Sequence, residues 1–217
     1  MKPPLKIAVA GLGTVGAGTL KLLGDQAELL AERGGRRIVV AAVSARDRRR
    51  DRGVELSAVR WYEDAAAMAA DPEIDVVVEL IGGADGIARK VIDVALDHGK
   101  HVVTANKALM AHHGTRLAVR AEEQGLALSF EAAVAGGIPV IKALREGLAG
   151  NRLERVYGIL NGTSNYILTT MRETGREFAE VLAEAQKLGY AEADPSFCAS
   201  ARTSANSRPV SRIVVRM

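Results

Sequence analysis

Three glycines at fixed spacing, Gly11, Gly13 and Gly16 in the segment GLGTVG, follow a short apolar run at residues 6–10 and precede a helical pattern at 15–31. Strand, tight turn and helix in that order constrain the chain more than any other feature. Gly11 permits the turn, Gly13 removes a side chain so that the backbone can approach a pyrophosphate, and Gly16 lets the helix pack closely on the strand. The helix start, with Thr14 and Val15 in its first turn, offers N–H groups to an anion. Gly11, Gly13, Thr14, Val15 and Gly16 are therefore the expected cofactor-binding residues. An ordinary glycine-rich turn is the alternative, and the βαβ setting favours the nucleotide.

The alternation continues through the first half. Residues 37–44, 74–80, 101–104 and 126–130 read as strands, and IDVVVEL at 74–80 suits a strand covered on both faces by helices. Helices are expected at 85–98, closed by Gly99, and at 107–124. Strands alternating with helices imply an α/β fold, a doubly wound parallel sheet of the Rossmann type. The pattern changes after Phe130. Gly136, Gly137 and Pro139 mark a bend, 140–148 reads as a helix, 152–160 as a strand, and 163–172 and 177–188 as two more helices. The expected division is a dinucleotide-binding domain at 1–128, the start of an α+β substrate domain at 129–197, left incomplete, and a disordered tail at 198–217.

Charge narrows the partners. The chain carries 29 Lys and Arg against 26 Asp and Glu, but residues 198–217 hold Arg202, Arg208, Arg212 and Arg216 and no acid. Without them the count is 25 bases against 26 acids, so the basic balance belongs to the tail and nucleic acid is not the expected partner. The cluster RDRRRDR at 46–52 is mixed with Asp47 and Asp51 and has no interleaved aromatic, as in a solvated loop. A nucleic-acid patch formed from this cluster and the tail is the least favoured reading, and salt-sensitive DNA binding would be its signature. Cys198 is the single cysteine, which excludes an internal disulfide and a cysteine metal cluster. No apolar run approaches the roughly 18 residues of a bilayer span, and the opening lacks a signal-peptide core, so a cytoplasmic protein without a membrane partner is expected.

Arg46 falls where the second strand ends, with Asp47 beside it. An acid at that point holds a ribose 2'-hydroxyl and an arginine pairs with a 2'-phosphate, so NADP is favoured over NAD with dual use left open. Thr104 to Lys107, TANK, lies just past a strand's carboxyl end, where ligands bind in a parallel sheet. Lys107 is expected to point into the crevice beside the nicotinamide. The alternative is a surface lysine opening a helix, at some cost against the macrodipole.

Four segments together carry a resemblance: ELIGG at 79–83, VVTANKALMA at 102–111, EAAVAGGIPVIKALREGLAGNRLERVYGILNGTSN at 131–165 and KLGYAEADP at 187–195. In order and spacing they resemble homoserine dehydrogenases from residue 7 to about 197. The resemblance implies an NAD(P)-dependent oxidoreductase that interconverts L-homoserine and L-aspartate 4-semialdehyde in threonine, methionine and isoleucine biosynthesis, assembled as a homo-oligomer. It assigns Gly82 and Thr104 to the cofactor, Lys107 to cofactor and substrate, and Glu192 to the substrate, whose ammonium group a carboxylate can accept. It also places a monovalent cation, Na+ or K+, at Glu131, Val134, Gly136 and Ile138; one carboxylate with carbonyls on a bent loop makes an oxygen cage for a hard cation. Glu131 as a buried or capping carboxylate with no ion remains the other reading. Asn161, Thr163 and Ser164 either line the substrate pocket or, for Thr163 and Ser164, cap a helix.

Beyond Phe197 the resemblance breaks. Counted without gaps, the family's substrate-binding aspartate and its general acid/base lysine fall at Thr203 and Ser207, and neither residue can take the role. A truncated or out-of-frame tail is the expectation, and with it an alternative function: an NADP-binding remnant without turnover. The apolar faces within 159–168 and 178–188 are then expected to lack partners.

Overall fold

The computed structural model describes residues 2–154 and 162–188. The chain divides into two compact units, Met1–Leu148 and Ala149–Met217.

In the first unit, β1 (Leu5–Ala10), β2 (Ile38–Ser44), β3 (Arg60–Tyr62), β4 (Val76–Glu79), β5 (His101–Thr104) and β6 (Leu128–Ser129) form one sheet. Its order is β3-β2-β1-β4-β5-β6 and every pairing is parallel. The order reverses direction between β1 and β4, which opens a crevice at their carboxyl ends, the place where ligands bind in such sheets. The helices are α1 (Thr14–Asp25), α2 (Ala27–Gly34), α3 (Ala65–Ala69), α4 (Ile87–Asp97), α5 (Lys107–Glu123) and α6 (Val140–Lys142).

Apolar residues of alternating direction feed two cores. Ala8, Ala10, Ala42, Val77 and Val102 pack with Met68, Ile92, Leu96, Leu109 and Leu117 from the helices on one face. Ile7, Val9, Val43, Val76 and Val78 pack with Leu12 and Leu20 on the other. All four residues of β4 are buried, as its run of valines led one to expect. β5 differs: His101 and Val103 are exposed while Val102 and Thr104 are buried, so only one of its faces is covered within the described residues.

Several boundaries move. The helix expected over 15–31 is two helices, because Gln26 leaves the helical region (φ −109°, ψ 17°) just after Gly24 and Asp25, both weak helix formers. The helix expected over 140–148 is α-helical only to Lys142 and then widens into a π-helical turn, Ala143–Gly147. Strand β3 and helix α3 were too short to leave a periodic signal.

In the second unit, α7 (Gly162–Thr174) and α8 (Phe178–Lys187) pair around buried Ile167, Val181 and Ala185, with Tyr166, Met171, Phe178 and Leu182 against them. The apolar faces expected to lack partners therefore find part of their cover in each other. The Tyr166 hydroxyl donates to Glu184 at 2.7 Å, which raises the tyrosine's pKa and, with Arg176, lowers that of Glu184. Residues 152–154 carry no regular structure; the remainder of the strand expected at 152–160 and the tail at 198–217 lie outside the described residues. Among the described residues no helix is long and apolar enough to cross a membrane.

Candidate functional site

The glycine turn lies at the carboxyl end of β1, beside the carboxyl end of β4. Gly11 has φ +98°, and a Cβ there would sit 2.6 Å from the Leu80 carbonyl oxygen; at Gly16 it would sit 2.0 Å from the carbonyl oxygen of Gly11. Backbone occupies both places, so only glycine fits. Gly13 is the N-cap of α1 and has open space where a Cβ would be. It offers no side-chain acceptor to the first-turn amides, the first turn holds no acid, and Thr14 and Val15 are exposed. Those amides thus have no side-chain cap at the positive end of a 12-residue helix. A cavity of about 450 Å³ opens at this point, lined among others by Gly11, Gly13, Ser44, Arg46, Asp47 and Arg50.

The loop after β2 forms the second wall. Arg46, two residues past the strand end, is exposed and lines the cavity. Asp47 accepts the Arg49 N–H at 2.8 Å through its carboxylate, which shapes the turn. Arg52 donates to the Leu12 carbonyl at 3.1 Å, to the Arg50 carbonyl at 2.6 Å and to the Asp47 carbonyl. Trp61 of β3 lies under Arg52 (5.5 Å) and Arg48 (6.0 Å). The aromatic missing from the cluster's own sequence is brought in by the fold.

The third wall is the edge formed by β4 and β5, and its organiser is Glu79, a residue that sequence reasoning noted only within a motif. Its fully buried carboxylate accepts the N–H groups of Ile81 (2.7 Å) and Gly82 (3.2 Å) and the Thr104 hydroxyl (2.6 Å). Thr104 in turn accepts the Asn106 N–H at 3.0 Å, and Asn106 caps α5 through Leu109 N–H (3.0 Å) while donating to the Gly83 carbonyl (2.7 Å). The side chain of Thr104 is thus engaged in holding the edge together. Gly82 is exposed with φ +84°. Lys107 is the first residue of α5, exposed, at the same edge of the sheet as the glycine turn and two strands away from it, roughly 10 Å by strand spacing. Asp85, in the loop between β4 and α4, pairs with His113 at 3.0 Å and Arg89 at 3.3 Å; the His113 bond first, then that of Arg89, holds its carboxyl below the usual range.

Glu131 opens a 3-10 turn after β6, and its carboxylate accepts the N–H groups of Ile141 (3.0 Å) and Lys142 (2.8 Å), capping α6. The loop between is bent by Ala135 (φ 50°) and Gly137 (φ 85°). The Ile138 carbonyl already accepts the Val140 N–H at 2.7 Å. The Glu131 carboxylate and the Ile138 carbonyl each retain a lone pair beyond these bonds. Among the described residues no group of three or more His, Cys, Asp or Glu gathers as for a metal ion. Thr163 and Ser164 stand in the first turn of α7. Asn161, Glu192, Thr203 and Ser207 lie outside the described residues.

Residues 11–131 match the family model for the homoserine dehydrogenase NAD-binding domain, and residues 139–201 match the model for homoserine dehydrogenase itself. Homoserine dehydrogenase of Pseudomonas aeruginosa is 55% identical over 194 residues and that of Neisseria gonorrhoeae 51%, each alignment covering 89% of this chain and 44% of the relative. The crystal structure of a homoserine dehydrogenase from Thiobacillus denitrificans superposes with a TM-score of 0.78 at 49% identity, covering 89% of this chain and 44% of that one. The Staphylococcus aureus enzyme gives 0.72 at 38%, covering 90% and 46%. The chain spans about 44% of the length of the curated relatives it matches. With a parallel sheet in the order shown, a glycine turn that admits no side chain and an open helix start, the chain belongs to the homoserine dehydrogenase family.

Proposed function

We propose that this chain holds an NAD(P) cofactor, with NADP preferred, and serves the interconversion of L-homoserine and L-aspartate 4-semialdehyde in cytoplasmic threonine, methionine and isoleucine synthesis. The observation that carries the reading is the uncapped start of α1 facing a cavity that Arg46 also lines. In this reading the amides of Thr14 and Val15 hold the pyrophosphate and Arg46 pairs with a 2'-phosphate. Gly82, Thr104 and Lys107 form the nicotinamide side of the crevice, and Glu192 takes the substrate ammonium. The bound nicotinamide supplies a two-electron acceptor for hydride from the hydroxyl-bearing carbon. The hydroxyl proton must pass to a base in the same event. Lys107 at the crevice orients the substrate against the cofactor.

Glu131 with the carbonyls of Val134, Gly136 and Ile138 forms the proposed Na+ or K+ site. The functional domain boundary is placed near residue 129, and assembly is placed in a homo-oligomer. Thr203 and Ser207, at the positions the resemblance gives to an aspartate and a lysine, favour a second reading in which the cofactor binds and no turnover follows. Purified chain with NADP, homoserine and KCl decides between the two. Growth of the reduced-nicotinamide absorbance, abolished by Lys107→Ala, supports the enzyme. NADP binding without that growth supports the remnant, and no binding of either dinucleotide defeats both.

A further inference from the structure

Arg52 lines the same cavity as Arg46 and Arg50, and it alone of the three is seen to join separate segments. Its Nε–H donates to Leu12, between Gly11 and Gly13, at 3.1 Å. Its Nη1 donates to the Arg50 carbonyl at 2.6 Å and its Nη2 to the Asp47 carbonyl. Its plane lies 5.5 Å from the centre of Trp61, on the edge strand β3. The side chain is half-buried, and at least three of its five N–H donors are committed to main-chain oxygens.

The loop so held carries Arg46, Arg48, Arg49 and Arg50, four cations within five residues that repel one another. Its two acids offset part of that charge while shaping the turn, Asp47 by accepting the Arg49 N–H and Asp51 by accepting the Gly53 N–H at 2.9 Å, and Glu63 and Asp64 line the same cavity. Two of the Arg52 bonds brace the loop from within, and the bond to Leu12 ties it to the glycine turn. We propose that Arg52 is a positioning residue that fixes Arg46 and Arg50 relative to the pyrophosphate-binding turn and thereby sets the preference for a dinucleotide bearing a 2'-phosphate. This rests on the proposed cofactor reading and names the residue that makes it selective. Lysine cannot substitute, since an ammonium lacks both the planar fork that reaches three carbonyls and the face that stacks on indole. Holding the arginines in place beforehand removes an ordering cost from phosphate binding, and a ligand without that phosphate gains nothing from it.

The test uses the full chain and its variants Arg52→Lys, Arg46→Ala and the double variant, each checked by circular dichroism. NADP, NAD, 2',5'-ADP and 5'-AMP are titrated against each; Trp61, the single tryptophan, reports the stack by its emission. Arg52→Lys is expected to weaken NADP and 2',5'-ADP about tenfold, the scale of one charge-assisted hydrogen bond, to leave NAD and 5'-AMP within about twofold, and to shift the Trp61 emission. In the Arg46→Ala background the same change is expected to weaken NADP by less than in the parent, the remainder acting through Arg50; full additivity of the two changes would overturn the inference. Equal weakening of all four ligands would mark a merely structural role and overturn the inference, as would an unchanged NADP affinity. If Arg52→Lys does not fold, Trp61→Leu removes the stacking platform while keeping an apolar side chain against the core, and an undiminished NADP-to-NAD ratio in that variant would overturn it too. Failure of the unaltered chain to bind any of the four would instead remove the cofactor reading and the inference with it.

Discussion

Two regions at the same edge of the sheet handle their polar groups in opposite ways. The β1–α1 turn leaves the amides of a helix start without a side-chain cap, and Gly11 and Gly16 stand where backbone fills the place of a Cβ. The loops after β4 and β5 are closed on themselves: Glu79, Thr104 and Asn106 form a chain of hydrogen bonds in which each side chain is engaged. The first is shaped to receive a ligand and the second to keep the edge rigid while Lys107 stands at it. Buried polar networks that are fully satisfied do this well, since a displaced member leaves an unpaired group in low dielectric.

That contrast breaks most readily at Gly16. Gly16→Ala places a methyl on the Gly11 carbonyl oxygen, and the expected result is a loss of about 3 kcal/mol of stability together with loss of dinucleotide binding. Chemical denaturation and a dinucleotide titration check both. Retained binding in a folded Gly16→Ala protein would show that the turn tolerates what its geometry excludes.

Glu79→Ala comes next. Removing the carboxylate leaves the Ile81 and Gly82 amides and the Thr104 hydroxyl without their acceptor, at an expected cost of about 2 kcal/mol. The expected signature is selective: turnover or nicotinamide-side affinity falls, while 2',5'-ADP, held at the other wall, binds within about twofold of the parent, a change of less than about 0.5 kcal/mol. Equal loss for both ligands would erase the distinction between the two walls.

Much of the first wall was legible because its signal is local. A strand, three glycines and a helix start lie within a dozen residues, and periodicity finds them. The edge formed by β4 and β5 was not, since Glu79 and Thr104 are 25 residues apart and nothing in either segment alone announces the bond. Arg52 and Leu12 are 40 apart, and Trp61 reaches the arginine cluster from a three-residue strand too short for any pattern to reveal. Glu131 shows the converse. Its two readings were both visible in sequence, and the structure displays the cap, through Ile141 and Lys142, without removing the lone pairs a cation would use.

The smallest expected effect is there. Glu131→Ala should cost about 1 kcal/mol as a lost helix cap, measured by thermal unfolding in a buffer whose cation is a bulky organic amine. If the cation site is real, KCl raises the melting temperature of the parent and not of Glu131→Ala. An equal KCl effect on both would leave Glu131 a cap alone.

The most direct test of the central claim is a titration of the isotope-labelled chain with NADPH, followed through its backbone amide resonances. The account expects the largest and saturable shifts at Gly13, Thr14 and Val15, with smaller ones at Arg46 and Lys107. Saturable shifts confined to other parts of the sheet, with the start of α1 unmoved, would contradict it.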